Sequence, residues 1–129
     1  MVEALRRMFS RSPHIALIDE IKGFAALRPG WNSYAAPKIS GTAIKAAVEI
    51  VEVASRLGAT LPSAAPTPLG GVALTWTTEG IEAQLLIDDE SFEYSVARHG
   101  SPKVTDQGSL HGVSDVEKYF IARHLIHPR

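Results

Sequence analysis

Apolar residues recur along this chain first at helical spacing, then in strict alternation, then at helical spacing again. Leu17, Ile18, Ile21, Phe24 and Ala25 fall three and four apart, with Asp19, Glu20 and Lys22 on the other side, which predicts an amphipathic helix. Ser12 followed by Pro13 starts it, because proline suits the first helical position. Pro29 disfavours helical geometry at Arg28, so Arg28-Pro29-Gly30 ends it. Residues 2–10 form either a short earlier helix or a frayed arm. A second helix is expected from Ser40, a serine N-cap, to about Leu57, with Gly58 as its stop. Its apolar face is Ile44, Ala47, Val48, Val51, Ala54 and Leu57, widened by Ile50 and Val53. Lys45–Glu49 and Glu52–Arg56 are spaced to pair on its wet side.

Residues 61–71, LPSAAPTPLGG, read as a Pro/Gly-rich connector leading into a sheet. Three alternating runs follow. Val72, Leu74 and Trp76 alternate with Ala73, Thr75 and Thr77. Ile81, Ala83, Leu85 and Ile87 alternate with Glu82, Gln84 and Leu86. Phe92, Tyr94 and Val96 alternate with Glu93, Ser95 and Ala97. A period of two buries one face and wets the other. Thr78-Glu79-Gly80 and Asp88-Asp89-Glu90 are short enough for hairpin turns, and a weak fourth strand is expected near residues 103–105. Ser114-Asp115-Val116-Glu117 has the spacing of a capping box. The last helix runs from there to about Ile126, with Tyr119, Phe120, Leu125 and Ile126 as its apolar candidates. The expected fold is α+β: an antiparallel three- to four-stranded meander with helices packed on one face. It forms a single domain over 1–129, divided into an arm (1–12), a helical half (13–58), a meander (59–108) and a closing helix (113–127).

Composition narrows the classes. A chain of 129 residues with 45% hydrophobic and 21% charged residues is expected to fold as a globular domain. A net charge of −1 gives no general attraction to nucleic acid. With no cysteine, disulfides, thiolate zinc sites and a cysteine nucleophile are excluded, which fits a reducing cytoplasm. No apolar run approaches the ~20 residues that span a bilayer. Arg6, Arg7 and Arg11 give the start a basic flavour, but Asp19 and Glu20 interrupt the apolar stretch that a targeting peptide needs.

Candidate chemistry is sparse. Glu79, Glu82, Asp88, Asp89, Glu90 and Glu93 lie together with no lysine or arginine between the first and the last. Such a run suits a solvated turn and a wet sheet face, or a cation or basic partner. It lacks the oxygen spacing and glycine of a calcium loop. His124 and His127 are three apart, as two metal ligands on a helix would be, though cationic side chains also suit a helix C-terminus. No Gly-x-Ser-x-Gly elbow and no phosphate-cradling glycine loop is present. The aromatic loop over 30–39 is the most informative segment. Trp31 and Tyr34 either pack beneath it and lock the first helix to the second, or leave a ring at the surface as a binding anchor. The candidate binding residues are therefore Trp31, Asn32, Tyr34, Glu82, Asp88 and Asp89, with no catalytic residue, metal or cofactor.

Gly30-Trp31-Asn32-x-Tyr34-x-Ala36-Pro37-x-x-Ser40 resembles the opening motif of a group of small uncharacterised bacterial proteins. Pro66-Thr67-Pro68-Leu69-Gly70-Gly71-Val72-Ala73-Leu74-Thr75-Trp76 resembles the stretch that opens a hairpin in the same group. Asn32 and Ala35 stand where that group has an acid and a glycine. The resemblance covers roughly residues 20–97. It implies the boundaries drawn above and no reaction. The function expected from size and surface is non-enzymatic: a module that binds another protein or itself, as an antitoxin, immunity protein or chaperone-like partner would, with no nucleic acid and no membrane involved. The alternative is a ligand-binding or enzymatic domain with a pocket near Trp31 and Tyr34.

Overall fold

The computed structural model describes residues 12–32, 36–78, 80–89 and 91–126. Helix α1 (Pro13–Gly23) begins at the expected proline and tightens into a 3-10 turn (Phe24–Ala26) before Pro29. It buries Leu17, Ile18, Ile21 and Phe24. Helix α2 (Gly41–Arg56) starts with the Ser40 hydroxyl accepting from the Ala43 amide at 3.2 Å. It ends in a Schellman motif. The Gly58 amide donates to the Ser55 carbonyl, the Ala59 amide donates to the Ala54 carbonyl, and Gly58 takes φ +78°. The expected Glu52–Arg56 ion pair does not close; Arg56 instead approaches Glu117 at 3.9 Å.

Five strands, not three or four, form one antiparallel sheet in sequence order: β1 (Ser63–Pro66), β2 (Val72–Thr77), β3 (Ile81–Ile87), β4 (Phe92–Arg98) and β5 (Val104–Leu110). β1 lies inside the segment expected to be a connector, paired Ser63 to Thr75 and Pro66 to Val72. β5 extends the weak fourth strand to seven residues. The expected hairpins form: the Thr78 amide donates to the Ile81 carbonyl, and the Asp88 amide to the Ser91 carbonyl. A register shift between Val96 and Ala97 bulges the β4–β5 pair.

The closing helix departs most from expectation. α3 (Val113–Val116) begins before Ser114, so the capping box does not form. Asp115 serves the helix start instead, accepting from the His111 amide at 3.4 Å. From Glu117 to Leu125 the backbone is a π-helix. The buried residues of the closing helix, Val116 at the end of α3 and then Phe120, Ile121 and Leu125, fall at i, i+4, i+5 and i+9. At about 4.4 residues per turn these four share one side, whereas an α-helix would put the first and last on opposite sides. Tyr119, expected in the core, is 48% exposed, and Ile121, not expected there, is fully buried.

One apolar cluster joins α1, α2, the closing helix and one face of the sheet. Its sheet side comprises Val72, Leu74, Trp76, Ala83, Leu85, Ile87, Phe92, Val96 and Leu110. Trp76 and Phe120 meet edge to face at 5.3 Å between ring centroids.

Candidate binding surface

Three groups of polar side chains stand out, and they do different things. The first is at the N-terminus of α2. The Ser40 hydroxyl, which caps the helix, also donates to the Asp89 carboxylate. Asp89 thereby pins the β3–β4 hairpin to the helix start, where the backbone dipole favours a negative charge. Asp88 shapes the same turn, accepting from the Ser91 amide and hydroxyl at 2.8 Å each. The Ser40 amide donates to the Gly70 carbonyl, and a Cβ on Gly70 would press on Pro37 and the Lys38 carbonyl at 3.1 Å. A Cβ on Gly71 would overlap the Ile87 carbonyl oxygen. Thr67 closes the loop by accepting from the Gly71 amide at 2.9 Å. The Pro37–Ser40 end of the first motif segment and the Thr67–Gly71 loop of the second thus meet in one joint, and Asp88 and Asp89 lie in the turn tied to it.

The second group lies at the other edge of the sheet's inner face. His124 Nε2 sits 2.8 Å from Asp106 Oδ2, and the Tyr94 hydroxyl lies 3.2 and 3.3 Å from the two Asp106 oxygens. The His124 hydrogen bond, helped by that from Tyr94, holds the Asp106 carboxyl below the usual carboxylate range. Partial burial and the neighbouring Asp106 charge raise the Tyr94 phenol. Gly108 makes room for this arrangement, because a Cβ there would meet the Tyr94 ring at 3.1 Å. Rings link it to the core, with Phe120 5.5 Å from Tyr94 and 6.4 Å from His124. The arrangement fastens the closing helix to the edge strand. The sequence offered His124 only as one half of a histidine pair; its second half, His127, lies outside the described residues. The missed partner, Asp106, is the one charged residue in an otherwise neutral strand.

The third group is the outer face of the sheet, which no helix among the described residues covers. The register sets its side chains in three transverse rows. The central row is Ser63, Thr75, Gln84, Ser95 and Gln107. On one side runs Ala73, Leu86, Glu93 and Ser109, and on the other Thr77, Glu82, Ala97 and Val104. Two shallow depressions lie on this face. One, of about 480 Å³, is bordered by Gln84, Leu86, Glu93, Ser95, Gln107 and Ser109; the other, of about 330 Å³, lies towards Thr75, Glu82, Ser101 and Pro102. Leu86 and Val104 are 40% and 44% exposed here.

The candidate residues do not converge on one site. Glu82 is on the outer face near one end of β3, while Asp88 and Asp89 follow its other end. Trp31 is half-buried against the core, with its amide donating to the Arg28 carbonyl and no hydrogen-bond partner for its buried indole nitrogen. Asn32 is half-buried beside it in the same turn. The Gly30 amide closes the loop onto the Ala36 carbonyl at 2.7 Å. Tyr34, like Glu79 and Glu90, lies outside the described residues. Among the described residues no three acidic, histidine or cysteine side chains are grouped to hold a metal ion. No helix among them is long and apolar enough to cross a membrane. Compared with protein-family models, curated proteins and solved structures, the chain matches none.

Proposed function

We infer that this chain is a non-enzymatic protein-binding module whose working surface is the outer face of the sheet, in a role such as antitoxin, immunity protein or chaperone-like partner. One observation carries the reading: among the described residues, five paired strands present a continuous face of mixed polar and aliphatic side chains that no helix covers, while the helices pack on the opposite side. The titratable clusters elsewhere are engaged in holding elements together. Asp89 is tied to Ser40, and Asp106 to His124 and Tyr94. The outer face has no such internal duty.

A photo-crosslinking amino acid placed at Ser95, in the middle of the face, tests this in the native host. The expected result is a discrete adduct with one protein. The same group at Lys45, on the exposed side of α2, serves as the control and gives none. Equal labelling from both positions, or none from Ser95, overturns the reading.

A further inference from the structure

We propose that the outer face binds an extended protein segment carrying two cationic side chains four residues apart. The proposal rests on the protein-binding reading above and names the chemistry of the partner. Of the acidic run in the sequence, the structure assigns Asp88 and Asp89 to the joint at α2, which leaves Glu82 and Glu93 as the described carboxylates on the sheet. Both are exposed, and neither has an ion-pair partner among the described residues. No lysine or arginine occupies an outward position on any of the five strands. Arg98 pairs with Ile81 and belongs by alternation to the inner side. Among the described residues the face therefore carries two uncompensated negative charges.

Their placement sets the spacing of the complement. Glu82 pairs with Ala97, and Ala97 is four residues from Glu93 on β4. That is about 13 Å along the strand and about 5 Å across to its neighbour, so the two carboxylates start about 14 Å apart. An extended chain puts residues i and i+4 on the same side about 13 Å apart. Each glutamate also has an aliphatic cross-strand neighbour, Ala97 for Glu82 and Leu86 for Glu93, against which the methylene stem of a lysine or arginine can lie. Between them Gln84 and Ser95 form an uncharged pair able to donate to and accept from a peptide backbone or its polar side chains. That central row favours a polypeptide over a bare polyamine, and the two carboxylates repel a nucleic-acid backbone.

The test uses the full chain and two synthetic peptides, Gly-Ser-Lys-Thr-Val-Thr-Lys-Ser-Gly and an isomer with its lysines three apart, which places them on opposite sides of an extended chain. Titration followed by amide chemical shifts is expected to move residues of β3 and β4, with the first peptide binding at least threefold tighter than the isomer. The double variant Glu82→Gln/Glu93→Gln is expected to lose at least fivefold of that affinity, and raising salt from 50 to 500 mM to weaken the wild type similarly. Shifts centred on α2, or unchanged affinity in the double variant, overturn the proposal. Crosslinking from Ser95 in the same double variant separates this proposal from the reading beneath it. An adduct that persists undiminished leaves the face as the binding surface and removes the cationic partner. Failure of the wild-type Ser95 crosslink removes both. Loss of the adduct only in the double variant supports both.

Discussion

The two faces of the sheet are made from the same strands in the same register, yet they answer to different constraints. The inner face is built around large side chains at zero or near-zero exposure, Val72, Leu74, Trp76, Leu85 and Ile87, in one cluster with the buried residues of the helices. The outer face, one residue over at every step, is built of threonine, serine, glutamine, alanine, two glutamates and the exposed Leu86 and Val104. A slip of one residue would exchange them, so the inner face dictates the register and thereby positions every outer side chain. Folding information and binding information are separated by parity. Substitutions on the inner side should cost stability in proportion to the volume lost, and those on the outer side should leave stability alone.

The largest effects are expected where backbone or core volume has no room to adjust. Gly71→Ala forces a Cβ into the Ile87 carbonyl and should cost about 4 kcal/mol or more, seen as loss of the cooperative denaturant transition. Trp76→Ala leaves a cavity beside Phe120 and should cost about 3–5 kcal/mol by urea unfolding. Trp76→Phe should cost much less. The buried indole nitrogen has no partner, so that substitution removes an unsatisfied donor along with the lost volume. If the phenylalanine variant were as unstable as the alanine one, volume would not be what the inner face is selected for.

Helix α2 was legible in the sequence because its signals are local: a serine cap, a 3.6-residue apolar period and a glycine stop with positive φ. β1 was hidden because Ser-Ala-Ala-Pro has no β-branched or aromatic residue. It is a strand because it pairs with β2 at a sheet edge, where proline is tolerated. β5 was foreshortened for a related reason. Its inward positions hold Asp106 and Gly108, which read as loop residues, and only Tyr94 and His124, brought from elsewhere, make them fit. The closing helix misled at Tyr119 and Ile121 because a π-helix does not keep the 3.6-residue period. The acidic run read as one cluster along the chain, and only hydrogen bonding across the fold divides it into structural and free carboxylates.

Intermediate effects are expected where polar side chains join elements. Asp89→Ala removes the tie between the β3–β4 turn and the α2 cap and should cost about 1 kcal/mol. Asp106→Asn should cost about 1 kcal/mol near neutral pH, allowing for its partial exposure. Its pH dependence has a definite sign. The folded-state pKa of Asp106 is depressed, so its contribution is present above the ordinary carboxylate range and is lost as pH falls through the depressed value. The wild type should therefore lose its advantage over Asp106→Asn on acidification. Tyr94 acts at the other end. Its folded-state pKa is raised, so its contribution is present below the ordinary phenol range and is lost as pH climbs through the raised value. A Tyr94→Phe variant should close on the wild type in strong base. Parallel pH profiles for wild type and Asp106→Asn would mean that this cluster does not fasten the closing helix.

The smallest expected effect bears most directly on function. Glu82→Gln/Glu93→Gln changes two exposed side chains that have no ion-pair partner among the described residues and do not touch the core. Stability should change by no more than about 0.5 kcal/mol in either direction. A small gain is the more informative result, because two like charges on an otherwise neutral face repel each other weakly and their removal relieves that repulsion. A residue kept at some cost to stability, on a face that none of the described helices covers, is serving something other than folding. A drop of about 2 kcal/mol, measured by chemical unfolding at low salt, would instead place these glutamates in the structural framework and erase the distinction between the two faces.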